Sequence, residues 1–200
     1  MPTVVVNGVT MEAKVGERLI DVARRNGAHV GFVCNGAGFC QTCQCQVLSG
    51  IENLSPVNPF EEAWFSESQL NAGQRLACKS ALRGEGSIEI RTKAEDLRRQ
   101  AMAVISPPAG SNPVAQLVPL IQYVVRMGTD EISRFPSNAI NAFSRVKPND
   151  LTWPFRDLSR YLADTKRVVA TNLGNSTSAP AHAHSRQVIE IESSDKSPLP

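Results

Sequence analysis

No run of about 18 apolar residues occurs in this chain of 200, which excludes a membrane-spanning helix. Met1 to Val9 lacks a basic stretch followed by an apolar core, so no secretory leader is expected. Charge of one sign is scarce as well. Against 19 Asp and Glu stand 21 Lys and Arg, a formal net charge of +2, too little to imply a nucleic acid as partner. No G-x-G-x-x-G is present, and within these 200 residues no nucleotide-binding domain is expected beside another one. No cysteine follows Cys78. The composition, 42% hydrophobic and 20% charged, is neither collagen-like nor that of a fully disordered chain.

What is present is uneven. All five cysteines (Cys34, Cys40, Cys43, Cys45 and Cys78) fall in the first 80 residues, and without a leader they suggest metal binding rather than disulfides. Residues 1–100 hold 11 basic and 11 acidic side chains, whereas 101–175 hold 8 against 5. From Ser176 the chain turns to Ser, Ala, His and Pro, too poor in large apolar groups to offset the entropy of ordering. The expected organisation is a cysteine domain over 1–100, a linker over 101–113 centred on Ser106–Pro113, an amphipathic helical region over 114–175, and a disordered tail over 176–200.

Within the cysteine domain, Thr3 to Val6 and the alternating Val9, Met11, Ala13 and Val15 flank Asn7-Gly8, a strong hairpin signal. Leu19, Ile20, Val22 and Ala23 then form one helical face, stopped at Asn26-Gly27. A strand is predicted over about Gln44–Leu48, a short helix over Phe60–Phe65 opened by Asn58-Pro59, and a last strand over Ser87–Arg91. The expected fold is α+β, a small mixed sheet packed on one helix.

The chemistry lies in Cys34-x5-Cys40-x2-Cys43 and in Cys78 within Arg75-Leu-Ala-Cys78. Four thiolates, two per iron, suit one [2Fe–2S] cluster, and Gly36 and Gly38 permit the sharp bends a three-ligand loop needs. Structural zinc favours paired C-x2-C knuckles, and only Cys40–Cys43 makes one. Cys45, two residues past Cys43 on a strand, reads as a small buried group. His29 has no ligand spacing and receives no role.

These motifs resemble the [2Fe–2S] ferredoxins of β-grasp fold over roughly residues 1–95. The five-residue first spacing is similar to that of adrenodoxin-like members, and Arg75-Leu-Ala-Cys78 also looks like the family. The resemblance implies a one-electron carrier that is not an enzyme, its cluster held by Cys34, Cys40, Cys43 and Cys78. The lack of later cysteines sets it apart from small subunits of molybdenum hydroxylases and from fumarate-reductase-type iron–sulfur subunits.

Beyond the linker, Val114 to Met127 is apolar almost all round, with Gln116, Pro119, Gln122 and Arg126 on one stripe. A second amphipathic segment is predicted over Ser137–Val146, exposing Phe143 and Val146. A third begins near Thr152 and ends at Gly174, with Leu151, Phe155, Leu158, Leu162, Thr165 and Val169 opposite Arg156, Arg160, Asp164, Lys166 and Arg167. Burial of these faces on one another, attachment to an apolar surface and coiled-coil pairing all remain open.

A neutral ferredoxin domain joined to a cysteine-free apolar region resembles the iron–sulfur proteins of the green-bacterial chlorosome envelope, the I/J/X group. The residues that carry this are Lys14–Arg24, Ala28-His29-Val30-Gly31 and Cys40-Gln-Thr-Cys43. The resemblance implies a lipid-monolayer envelope with the domain on its cytoplasmic side, redox proteins or quinones as partners, and control of quenching by quinones or pigments. Two alternatives are a soluble ferredoxin serving an oxygenase or biosynthetic enzyme, and a mainly structural envelope protein. Acidic shuttles steer to basic partners, but here Glu61, Glu62 and Glu67 are offset by Arg75, Lys79 and Arg83.

Overall fold

The computed structural model describes residues 1–107, 110, 112–144, 158–175 and 178, with backbone alone at 113–114, 126–136 and 143. Its centre is a five-stranded sheet in the order β2-β1-β5-β3-β4. β1 (Thr3–Val6) and β2 (Val9–Glu12) form the hairpin, with Asn7 and Gly8 both at positive φ in the turn. β5 (Ser87–Thr92) joins β1 in parallel, and β3 (Gln44–Ser49) runs antiparallel to β5 and to β4 (Gln74–Leu76). The alternation of β1 and β5 sends Val4, Val6, Ile88 and Ile90 to one face. There they meet Leu19, Ile20, Val22 and Ala23 of α1 (Leu19–Arg25), giving the α+β, β-grasp arrangement.

Three elements follow local chemistry. Asn58 opens α2 (Pro59–Trp64) with a capping box to Glu61, and Ser66 opens α3 (Glu67–Asn71) with one to Gln69. Thr92 caps α4 (Lys93–Ile105) by accepting from the Glu95 amide. Residues 101–105, expected to be linker, therefore continue a helix. Its first turns are mostly polar, and they are held by Glu95 paired with Arg98 and Arg99 at helical spacing.

The two segments expected over 114–127 and 137–146 are one helix, α5 (Pro113–Phe143), capped by Asn112 and running through Pro119 and Pro136. The expectations at Val146, Leu151, Phe155, Arg156 and the tail beyond 175, Ser178 apart, lie outside the described residues, as do the side chains of Val114, Arg126, Met127 and Phe143. α5 packs on α4 and, farther along, on α2, and Gln116, Leu120 and Tyr123 are half-buried on its first half. Ala139 and Ala142 join the main core, and Asn138 Nδ2 donates to Trp64 O at 3.2 Å.

α6 (Leu158–Asn172) packs on α1 with its charged side inward: Arg160, Tyr161, Asp164, Arg167 and Thr171. Its apolar positions Leu158, Leu162 and Val169 are exposed. Hydropathy alone would seat the apolar stripe against the domain; matched charges on α1 reverse the orientation.

Candidate metal centre

The loop between α1 and β3 carries three of the four predicted cysteines, and the turn after β4 carries the fourth. Pairing of Gln44 with Leu76 and the bond from Ala77 N to Cys43 O at 3.1 Å bring the turn to the loop. The thiols meet as two pairs. Cys40 donates to Cys34, and Cys43 donates to Cys78. Among the described residues no three metal-binding side chains surround a single point. Four sulfurs gathered two and two match a binuclear iron centre, which takes two thiolates per iron.

Within its pair, Cys34 is the thiol whose pKa is drawn down. The hydrogen bond from Cys40 lowers its pKa to about 5 against the opposing effect of burial, with help from the amides of Cys40, Gly38 and Phe39. Donation to Cys34, with burial, pushes the Cys40 thiol far up, and donation to Cys78, again with burial, does the same to Cys43. The loop thus directs backbone N–H groups at sulfur, the arrangement that stabilises a negatively charged cluster. Gly38, at φ 91°, is enclosed: Trp64 Nε1 donates to its carbonyl at 2.9 Å, and Lys79 lies over the Phe60 ring beside it, 4.3 Å from the centroid. Cys34, Cys43 and Cys78 are buried, whereas Cys40 is half-exposed.

Cys45 is buried and stands apart from the four. Its thiol points to Arg75 O at 3.6 Å and is pushed up to about 12 by burial and then by Glu61.

Glu61 and Arg75, expected to balance charge on the surface, are instead a buried pair. Glu61 Oε1 accepts from Arg75 Nε (2.9 Å), Leu76 N (2.8 Å) and Ser80 Oγ (3.1 Å). Its Oε2 accepts from Arg75 Nη2 (3.0 Å) and Asn58 N (2.9 Å). Arg75 Nη2 also donates to Ser55 O and Pro56 O. One carboxylate therefore braces the segment leading to Cys78. Arg18, at the N-cap of α1, and Arg24, within it, reach the loop although no ligand spacing marks them. The sequence signal for such groups is faint: an arginine in an otherwise apolar helix.

The 2Fe-2S iron-sulfur cluster binding domain family matches residues 4–83, a stretch that includes all five cysteines. Over 147 residues, 74% of the chain, the sequence is 32% identical to chlorosome protein I of Chlorobaculum tepidum. Over 146 residues, 73% of the chain, it is 34% identical to chlorosome protein J of the same organism. These matches cover 55% and 60% of those proteins, so the chain spans somewhat over half the length of either relative. It is also 31% identical over 93 residues to 2Fe-2S ferredoxin-5 of Aquifex aeolicus, covering 45% of this chain and 97% of that ferredoxin.

Proposed function

Since the chain belongs to the [2Fe–2S] ferredoxin family, we propose that it carries one electron on one cluster, ligated by Cys34 and Cys40 at one iron and by Cys43 and Cys78 at the other. The observation that carries this is the pairing of the four thiols, two and two, in the domain that matches the family. When bound, the cluster supplies reversible one-electron chemistry. The protein's part is to hold the charge: the amides of Gly38, Phe39 and Cys40 converge on Cys34 and offset negative charge on sulfur. Half-exposed Cys40, with exposed Val33 nearby in the loop, marks the side where a redox partner approaches. No residue of the site is assigned substrate chemistry.

The setting we propose is the chlorosome envelope, with the ferredoxin domain on its cytoplasmic side and quinones or pigments as the redox targets whose quenching it controls. Similarity to chlorosome proteins I and J supports this and extends well past the ferredoxin domain. So does the outward face of α5, where Leu117, Val118, Ile121, Val124 and Val125 are 39–56% exposed; Leu158, Leu162 and Val169 of α6 are exposed as well. At roughly 25 cal/mol per Å², covering a few such side chains supplies several kcal/mol toward attachment. No helix among the described residues is long and apolar enough to cross a membrane.

Two measurements test the two levels. Reconstituted protein should hold two irons and two sulfides per chain, as a [2Fe–2S] centre requires, and give an S = ½ EPR signal only after reduction. A colourless zinc protein ends the first reading. The wild type should float with lipid or pigment particles, and Val118→Asp, Ile121→Asp and Val125→Asp together should release it with its cluster intact. A wild type that never floats ends the envelope reading.

A further inference from the structure

Two arginine networks, one buried at Arg24 and Asp164 and one half-buried at Arg18 and Arg160, connect the cysteine loop to α6. Arg24 leaves α1 and lies with its guanidinium carbon 4.5 Å from the Phe32 ring centre and 6.0 Å from that of Tyr161. The two rings meet edge to face at 5.3 Å. Arg24 Nη1 donates to Oδ1 of Asn35, the residue after Cys34, at 2.7 Å, and Nη2 stands 2.8 Å from Asp164 Oδ2. Asp164 is itself buried and accepts from Arg167 Nη1 at 2.7 Å.

Arg18 makes the second link. Its Nε donates to Asp21 Oδ2 at 2.7 Å, and Asp21 Oδ1 accepts from Arg160 Nη2 at 3.2 Å. The far end of Arg18 lies so close to the loop that a Cβ on Gly36 would come within 2.9 Å of Nη1. Gly27 permits the close approach of α6, because a Cβ there would collide with Thr171 Oγ1.

Such contacts are more than adhesive. Burial draws the Arg24 pKa down while Asp164 and Asp21 work to restore it, so the cation depends on its partners. Arg18 feels burial as well, and the charge and hydrogen bond of Asp21 oppose it. Both cations adjoin a centre that gains one negative charge on reduction. Asn35, at φ 47°, adopts the left-handed conformation that Asn tolerates better than other non-Gly residues, and Arg24 fixes its side chain there.

We propose that α6 is a clamp on the cysteine loop: Asp164 and Arg160 are positioning residues that, through Arg24 and Arg18, hold the loop at Asn35 and Gly36 and set the charge balance the cluster meets on reduction. The redox half of this rests on the [2Fe–2S] reading above. The mechanical half does not.

The test uses the full chain, wild type and three variants, with voltammetry, cluster release to a chelator, and hydrogen–deuterium exchange of the 32–36 amides. Asp164→Asn should favour the reduced state roughly three- to tenfold, since a negative charge beside Arg24 is gone. Arg24→Gln should disfavour it by a similar factor; a tenfold change is about 59 mV for one electron. Arg24→Lys keeps the charge and loses the planar fork, so it should leave the redox equilibrium within about twofold while release and 32–36 exchange quicken severalfold. Mere loosening would move Asp164→Asn and Arg24→Gln in the same direction, and that result overturns the electrostatic role. Unchanged 32–36 exchange in Asp164→Asn overturns the clamp. A wild type that takes up no cluster overturns the proposed function, and the exchange data still decide the clamp.

Discussion

Replacing Glu61 with Gln removes one charge from a site where both carboxylate oxygens are fully used. Oε1 faces three donors and Oε2 two, all within 3.1 Å. An amide has one oxygen, so whichever way the Gln lies, its NH₂ opposes at least two donors. Arg75, only 3% exposed as a side chain, is left without its counter-charge. Breaking a buried ion pair from one side costs about 3–5 kcal/mol. For a chain of this size that corresponds to a Tm lower by roughly 6–20 °C. Because the lost bonds include the one to Leu76 N, the damage should reach Cys78 first, and the visible absorption should bleach below the global transition. Thermal scans followed at the cluster bands and by far-ultraviolet circular dichroism separate the two events. Glu62→Gln, one residue on but exposed, is the control and should stay within about 0.5 kcal/mol of wild type. If Glu61→Gln lowers Tm by no more than Glu62→Gln does, the bracing role assigned to Glu61 is wrong.

Other substitutions probe the remaining assignments. Ser at Cys34, Cys40, Cys43 or Cys78 should abolish or cripple cluster binding, measured as iron per chain, while Cys45→Ala should retain the cluster; bleaching by Cys45→Ala alone would refute the ligand set. Voltammetry should find a potential nearer the plant-type value of about −400 mV than zero, and a value well above zero would contradict the polarity inferred for the loop. Glu95 is held down to about 2, first by the hydrogen bond from Arg98 and then by Arg99, against an ordinary value of 4.5. Its contribution is therefore complete above pH 4.5 and is lost as pH falls toward 2, on the order of 1–2 kcal/mol after discounting for its exposed partners. Urea midpoints from pH 6 down to 3 should fall more steeply for wild type than for Glu95→Gln, and parallel curves would refute the assignment.

The hairpin, α1 and the cysteine loop were legible because each depends on neighbours in the chain: Asn7-Gly8 at the turn, apolar residues at helical spacing, and thiols at x5 and x2 separations. In α4 the apolar spacing is made of Ala94, Leu97, Ala101 and Val104, half of it alanine, a weak signal beside the Pro-rich stretch that follows; the Thr92 cap and the Glu95 pairs mark its start. The run from Gln74 to Leu76 was too short to mark β4. Whether charged side chains lie outside or inside was decided in three dimensions. Glu61 and Arg75, 14 residues apart, look like surface groups until α2 and β4 enclose them. The α6 helix shows the same limit more sharply. Its pattern defined two faces, one apolar and one charged, and only the Asp21 and Arg24 side chains of α1, 139 and 140 positions from Arg160 and Asp164, turned the charged face inward. Local periodicity follows from backbone geometry and is written along the chain. The direction a face takes follows from the free energy of desolvating charges, and that depends on the partner brought to meet them.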